Sequence, residues 1–299
     1  MNIIKRQKNS KEDKIFSTVV NTMVVLAAII TIYPIYFVVL ASISDPTALN
    51  SGKVFLWPVL PDLGAYIYIL KNNLIWIGYS NTILYTVSGT ALGAFITVMG
   101  GYALSRKDLV GRDIIMKIMV FTMFFSGGLI PTYMVIKNLG LVNTRSVMII
   151  LGSFSVFNLI ITRTFFISKI PDELYEAAQM DGCGNARFFF SIVLPLSKEI
   201  VSVVVLYIAV TQWNSFFNAL IYLSNTKLYP LQLILRDILV GAGTLMTDSV
   251  AASDRTEMQR LSETIKYGVM VVSTLPILAL YPFMQKYFIG GVMIGSIKG

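Results

Sequence analysis

Long uncharged runs, separated by short charged stretches, dominate the hydrophobic pattern of this 299-residue chain. A helix that spans a lipid bilayer needs about 20 mostly apolar residues. Because lipid offers no hydrogen-bond partners, each run must satisfy its own backbone groups as a helix. The pattern therefore predicts an all-α, polytopic membrane protein with a single transmembrane domain over residues 1–299. The predicted spans are residues 15–44, 81–104, 115–137, 146–167, 200–220 and 267–286.

The first run is too long for a cleavable signal peptide. It is uncharged over residues 15–44, whereas the apolar core of a signal peptide has about 7–15 residues. We therefore interpret it as a retained first span, preceded by a Lys-rich tail over residues 1–14. Positively charged segments stay in the cytoplasm. With six spans, both termini are then cytoplasmic, residues 171–196 form a cytoplasmic loop and residues 221–266 an external one.

Composition excludes several classes of function. Only 13% of the residues are charged, whereas soluble domains have about 25%. The chain has one cysteine, Cys183, and no histidine, so neither an internal disulfide nor a Cys/His metal site can form. We expect no metal site and no catalytic residues. The net charge of +8 reflects Lys and Arg that flank the spans, because no basic stretch is interleaved with aromatic residues as nucleic-acid binding requires.

Residues 171–196 carry local signals for a short helix. Pro171 cannot continue a preceding helix, and Asp172 is a favoured N-cap residue. Gly182 is typical of a helix end in the left-handed conformation. The pattern predicts a helix of about ten residues, followed by a second short one that Leu194-Pro195 ends. One face of the first helix suits the groove of another protein; it comprises Leu174, Ala177, Ala178 and Asp181.

The spacing of these residues resembles the coupling motif of importers of the ATP-binding-cassette class. Glu176-Ala177-Ala178 is followed after three residues by Gly182, after nine more by Ile192, and then by Leu194-Pro195. The resemblance implies a type I importer permease fold, in which residues 171–196, here called the coupling segment, dock on a separate ATPase subunit. It further implies that Glu176 pairs with a basic residue of that subunit and that Gly182 permits the turn. The residues expected to couple are Glu176, Ala177, Ala178, Asp181, Gly182, Ile192, Leu194 and Pro195.

Other stretches resemble the second permease subunit of carbohydrate importers related to the maltose system. Residues 211–218 and 229–233 carry this resemblance, and residues 127–133 resemble the branch that handles oligosaccharides or polysaccharide fragments. The chain has no phosphate-binding loop of the Gly-x4-Gly-Lys-Ser/Thr form, so ATP and Mg²⁺ are expected on the partner ATPase. The resemblance implies no enzyme activity and no cofactor in this chain. The implied partners are a second homologous permease in a heterodimer, dimeric ATP-binding subunits, an extracytoplasmic binding protein and the lipid of the bacterial plasma membrane.

Polar side chains near the fourth and fifth spans are candidates for the substrate path. Polar groups at membrane depth are functional candidates by default, and polar and aromatic groups bind sugars. The alternatives are hydrogen bonding between helices and, for Trp213, anchoring at the membrane interface. The candidates are Asn158, Gln212, Trp213, Asn214 and Asn218.

Other functions stay open at this stage. The chain could be an importer permease for a solute other than sugar. An ion-coupled carrier would need ionisable residues at membrane depth, and the apolar cores of the six runs lack them. A membrane-bound enzyme would need a cluster of catalytic groups, which the sequence does not show. Finally, Gly89 and Gly93 form a small-xxx-small pair, which we interpret as packing inside the helix bundle rather than as a dimer motif.

Overall fold

The computed structural model describes residues 11–244, 261 and 263–279, and this part of the chain is helical with no strand. Residues 263–279 are helical as well. The helices are α1 Lys11–Ser42, α2 Pro46–Asn50, α3 Gly64–Lys71, α4 Asn73–Ser105, α5 Arg112–Phe124, α6 Leu129–Asn138, α7 Arg145–Ile150, α8 Val156–Lys169, α9 Asp172–Met180, α10 Asn185–Phe188, α11 Leu194–Leu196, α12 Lys198–Trp213, α13 Phe216–Tyr222 and α14 Leu231–Thr244, with a π-helical turn at Phe189–Val193 and a 3-10 turn at Thr226–Leu228.

The chain divides into two compact units, of which the first comprises residues 1–69 and 241–272. Its long helix α1 exposes apolar side chains along most of its length, as a helix in contact with lipid does. At the end of α1, Leu40 forms a small buried cluster with Ala48 and Val54. The hydroxyl of Tyr36 donates a hydrogen bond to the Leu56 carbonyl at 2.6 Å. These contacts hold the segment after α1 against the helix end.

The second unit comprises residues 70–240 and 273–299, and α4 runs through it. This helix packs against α12 and α8 along a stripe of small residues. An added Cβ at Gly93 would lie 1.9 Å from the Ser153 carbonyl oxygen, and one at Gly101 would lie 2.7 Å from Thr162 Cγ2. Only glycine permits such close helix packing in lipid. The prediction that Gly89 and Gly93 serve internal packing is confirmed, because a Cβ at Gly89 would meet the Gln212 side chain.

In its third and fourth turns, α4 holds a distant loop by side-chain hydrogen bonds. Three polar side chains of α4, each buried, bind backbone groups of residues 227–231. They secure this loop to the helix. The bonds are Asn81 Nδ2 to the carbonyls of Lys227 at 2.8 Å and Tyr229 at 3.1 Å, Tyr85 OH to the Leu228 carbonyl at 2.8 Å, and the Leu231 N–H to Thr82 Oγ1 at 2.8 Å.

Three predicted spans are interrupted helices in the structure. The sequence predicts one helix over 115–137, but α5 and α6 are separated at residues 125–128 and bent by 115°. Residues 151–155 interrupt the predicted fourth span, and residues 214–215 the fifth. Glycine explains the first two breaks, because Gly128 and Gly152 have φ of +84°, outside the helical region. Hydropathy does not register such breaks, since the flanking residues remain apolar.

The number of spans therefore stays a prediction. Among the described residues, α1 and α4 are each long and apolar enough to cross a membrane. Two bent pairs reach the same standard if each counts as one span: α5 with α6, and residues 185–196 with α12, the latter bent by 82°. The end of the predicted sixth span, residues 280–286, and much of the predicted external loop, residues 245–260, lie outside the described residues.

Candidate functional site

The coupling segment begins with α9, whose two ends follow from its sequence. Pro171 is extended, with φ −66° and ψ 149°, and the acidic Asp172 and Glu173 occupy the first turn, where they complement the helix dipole. The helix ends in a Schellman turn: the Gly182 N–H bonds the Gln179 carbonyl and the Cys183 N–H bonds the Ala178 carbonyl, both at 2.9 Å. Gly182 has φ +73°, which side-chain-bearing residues rarely adopt. The prediction of a helix, its stop and the left-handed glycine is therefore confirmed.

The predicted N-cap is wrong, because Pro171 holds that position and makes no side-chain cap hydrogen bond, and Asp172 is already the first helical residue. The predicted end of the second helix is also wrong: helical turns run through Leu194 and Pro195 to Leu196, since proline fits the first turn of α11.

The inward face of α9 belongs to a shared apolar core. Ala178 is buried there with Phe188, Phe189 and Val193 of the following turns, and Leu174 packs against them. Residues of α4, α8 and α12 complete the same core. The predicted docking face is wrong for two of its four residues, because Leu174 and Ala178 point into the protein. The reason is that phenylalanines of the next turn, which the face assignment ignored, cover that side of the helix.

The motif residues accordingly divide into two groups. Ala178 is buried, and Ile192 and Leu194 are half-buried against the shared core, so these side chains hold the segment in place. The exposed group is free to meet another protein. It comprises Glu176, Ala177, Asp181 and Pro195, together with Met180, which is 90% exposed.

Tyr175 joins α9 to its surroundings through its hydroxyl and its ring. The hydroxyl donates to Asn185 Oδ1 at 2.6 Å and accepts from Gln179 Nε2 at 2.8 Å. The ring packs edge-on against Phe188, with 5.2 Å between centroids. On its other side the guanidinium carbon of Arg106 lies 3.5 Å from the ring centroid, a cation–π contact.

Arg106 and its neighbour Lys107 follow directly after α4. Lys107 Nζ lies 2.6 Å from Asp172 Oδ2, so an ion pair connects the end of α4 to the first residue of α9. The hydrogen bond to Asp172 raises the pKa of Lys107 above its ordinary value, because the contact favours the charged ammonium. Arg106 also pairs with Asp108 at 3.1 Å, and this hydrogen bond lowers the pKa of the Asp108 carboxyl. Sequence reasoning missed these contacts, because it used both basic residues only as topology signals.

The five substrate-path candidates do not share one environment. Gln212 is 1% exposed, and its Nε2 donates to the carbonyls of Ile149 at 3.1 Å and Leu151 at 3.2 Å. It therefore bridges α12 to the break between α7 and α8. Trp213 is also buried, and its indole N–H donates to the Ser273 carbonyl at 3.1 Å.

The other three candidates lie elsewhere on these helices. Asn158 is buried on α8, and Asn218 is half-buried on α13. Asn214 is exposed and donates to the Val210 carbonyl at 2.9 Å, which caps the end of α12. For Gln212 and Trp213 the structure shows the contacts expected of helix packing. Within the described ranges, no group of three His, Cys, Asp or Glu side chains could hold a metal ion.

Comparison with known proteins agrees with this geometry. The chain is 38% identical to the polygalacturonan/rhamnogalacturonan transport system permease protein YtcP of Bacillus subtilis (strain 168), over 96% of this chain and 100% of that protein. It is also 38% identical to Protein LplC of the same organism, over 90% of each. In three dimensions it resembles a chain of a bacterial ABC transporter involved in the import of the acidic polysaccharide alginate, with a TM-score of 0.82, 34% identity and coverage of 94% and 99%.

These likenesses establish the fold and the kind of protein. The helical fold is that of type I permeases of ATP-binding-cassette importers, a class whose ATP hydrolysis occurs on a separate subunit. The segment that matches the family extends over residues 110–294 and includes the whole coupling segment. The chain therefore belongs to the family of binding-protein-dependent transport system inner membrane components.

Proposed function

We propose that this permease carries an oligosaccharide, delivered by an extracytoplasmic binding protein, and that the coupling segment transmits the action of a separate ATPase subunit. The similarity to YtcP, whose name specifies polygalacturonan and rhamnogalacturonan, supports a carbohydrate substrate. So does the similarity to the alginate importer. Both groups of polymers contain uronic acids, so fragments with carboxylated sugars are the first substrates to test.

We further propose how the assembly is arranged in the membrane. The chain pairs with a second, homologous permease, and two ATP-binding subunits dock on the cytoplasmic face of the plasma membrane. Both termini lie in the cytoplasm. The Lys-rich segment 1–14 and the basic residues after α4 support this orientation, because positive charge is retained on that side. The coupling segment then faces the ATPase, and the loop at residues 227–231 lies at the other end of α4.

One observation carries the coupling role: α9 is fixed on its inner side and free on its outer side. Its inner residues share a core with α4, α8 and α12, and close-packed cores transmit displacement because they contain little free volume. Its outer side presents Glu176, Ala177 and Met180 to solvent. A carboxylate beside small and apolar side chains fits a groove with a basic residue. Force applied to this face therefore reaches α4, α8 and α12 through the shared core.

The coupling role is tested with Glu176→Ala in the assembled transporter. Removing one partner of an interfacial charge pair costs about 2–5 kcal/mol, so we expect co-purification with the ATPase subunit to fall at least tenfold, and uptake with it. Glu173→Ala is the matched control, since Glu173 is an exposed carboxylate of the same helix outside the motif. Unchanged assembly and uptake in the Glu176 variant would discredit the coupling role.

The substrate is tested by ATP hydrolysis of the reconstituted transporter with its binding protein. Oligogalacturonides and alginate oligosaccharides are compared with neutral arabino-oligosaccharides, because AraQ of Halalkalibacterium halodurans is named for arabinooligosaccharides and is 27% identical to this chain. We expect stimulation by the uronate oligosaccharides. Stimulation by a neutral oligosaccharide alone would contradict a uronate substrate and would indicate a neutral sugar instead. A response to none of these sugars would favour a solute of another kind.

A further inference from the structure

We infer that Arg106 and Lys107 position the coupling segment, so that α4 and α9 move together as one body. This inference rests on the function proposed above. The two residues and their contacts with Tyr175 and Asp172 are called the α4 latch. The latch is formed by a cation–π contact of 3.5 Å and an ion pair of 2.6 Å, which join the end of α4 to the start of α9.

An apolar contact lies beneath the latch. The ring of Tyr102, in the last turn of α4, lies between Phe166 of α8 and Phe189 of the π-helical turn, with centroid distances of 5.7 Å and 4.9 Å. These rings fix the distance between α4 and the core of the coupling segment. At the start of α9, Leu174 and Tyr175 also pack against this core.

Beside these contacts, the packing at the start of α9 is open. A cavity of about 280 Å³ lies between the end of α4 and the corner that joins α8 to α9; its lining includes Tyr102, Arg106, Lys107, Ile170 and Asp172. Across this space the latch connects the two helices by polar groups instead of packed side chains. We therefore expect the orientation of α9 relative to α4 to depend on the latch as well as on the apolar core.

Because α4 is long, its connection to α9 also affects the part of the protein near its other end. With 33 residues, α4 is about 50 Å long, longer than the hydrocarbon core of a bilayer. Asn81, Thr82 and Tyr85, in its third and fourth turns, hold residues 227–231. One helix thus links the coupling segment to a loop on the opposite side. Displacement of α9 by the ATPase would be transmitted along α4 to that loop.

The latch is a positioning device and adds little to fold stability. The side chains of Lys107 and Asp172 are 75% and 47% exposed, and solvent-exposed ion pairs contribute little to stability. A cation–π contact at the surface is similarly weak. Loss of the latch should therefore leave folding and assembly intact while the orientation of α9 becomes less defined. If the ion pair only stabilised the fold, its loss would leave the orientation of α9 relative to α4 unchanged.

The test uses the assembled transporter with the substitutions Arg106→Gln and Lys107→Gln combined. Spin labels at Ala103→Cys and Glu173→Cys, both exposed positions outside the motif, report the distance between α4 and α9 in a Cys183→Ser background. We expect a wider distance distribution. We also expect stimulation of ATP hydrolysis by the loaded binding protein to fall about fivefold, at the lower end of typical coupling between two sites. Co-purification with the ATPase subunit should be retained.

Two further variants make the result specific. The exchanged pair Lys107→Asp with Asp172→Lys should narrow the distribution again and restore stimulation. Lys117→Gln removes an exposed lysine of α5 that has no ion-pair partner among the described residues, and it should change neither measurement. An unchanged distance distribution in the double variant, or failure of the exchanged pair to restore it, overturns the latch. A loss of assembly in the Glu176 variant tests the proposed function separately, because the distance between the two labels is also measured on the permease without the ATPase subunit.

Discussion

Replacing Gly182 by alanine tests whether the left-handed turn after α9 sets the geometry of the coupling segment. An added Cβ at this position meets no heavy atom within 4 Å, so steric overlap contributes nothing. The cost is that of the backbone conformation alone, φ +73°, which is about 1–2 kcal/mol for a residue with a side chain. Such a cost corresponds to about a 5- to 30-fold loss of correctly turned segments.

The assay is the affinity of the purified permease pair for its ATPase subunit. If only the correctly turned segment binds, the apparent dissociation constant rises as the fraction of that conformer falls. Gly182→Ala should therefore weaken binding by up to about 30-fold. Gly182→Asn should weaken it less, because asparagine adopts the left-handed conformation more readily than alanine.

Gly184 supplies a matched control two residues further along the same turn. It too meets no heavy atom within 4 Å of an added Cβ, but its φ of −73° suits any residue. Gly184→Ala should therefore bind the ATPase subunit as the unmodified chain does. Equal losses in the two alanine variants, or no loss in Gly182→Ala, would refute the reasoning from backbone conformation.

Two predictions concern helix packing in the second unit. Gly93→Ala places a Cβ 1.9 Å from the Ser153 carbonyl oxygen, so α4 must move and the free energy of unfolding should fall by about 1–3 kcal/mol. Gly100→Ala is the control: its Cβ would lie 3.3 Å from Leu159 Cδ1, so the free energy of unfolding should change much less. Gln212→Leu removes two hydrogen bonds to the Ile149 and Leu151 carbonyls and should lower stability by about 1–2 kcal/mol. Thermal unfolding in detergent measures both; unaltered stability in Gln212→Leu with impaired uptake would instead indicate a role in the substrate path.

Local signals in the sequence predicted the coupling segment well. The acidic first turn of α9 and the left-handed Gly182 both depend on neighbouring residues, so a single sequence reveals them. The motif also placed the exposed Glu176 correctly. Local signals could not show that the side chains of Leu174 and Ala178 point into the protein, because this depends on phenylalanines that fold back over α9.

Contacts between distant residues were beyond sequence reasoning. Arg106 and Tyr175 lie 69 positions apart, and nothing in either neighbourhood indicates that they meet. The same holds for Gln212, whose polarity was noted but whose carbonyl partners lie 61 and 63 positions away. The break at residues 125–128 was missed for another reason, since hydropathy averages over glycines within an apolar run. Charge and hydropathy therefore predicted the fold class, whereas the connections between helices required the structure.

Cys183 allows the most direct test of the central claim, which is that the coupling segment lies on the cytoplasmic side and engages the ATPase. It is the sole cysteine of the chain, it lies beside Gly182, and it is half-buried. A membrane-impermeant maleimide applied to the unmodified protein should label it in inside-out vesicles and not in right-side-out vesicles. Labelling should decrease when the ATPase subunit is assembled. Labelling from the outside, or labelling that is unaffected by assembly, would contradict the account.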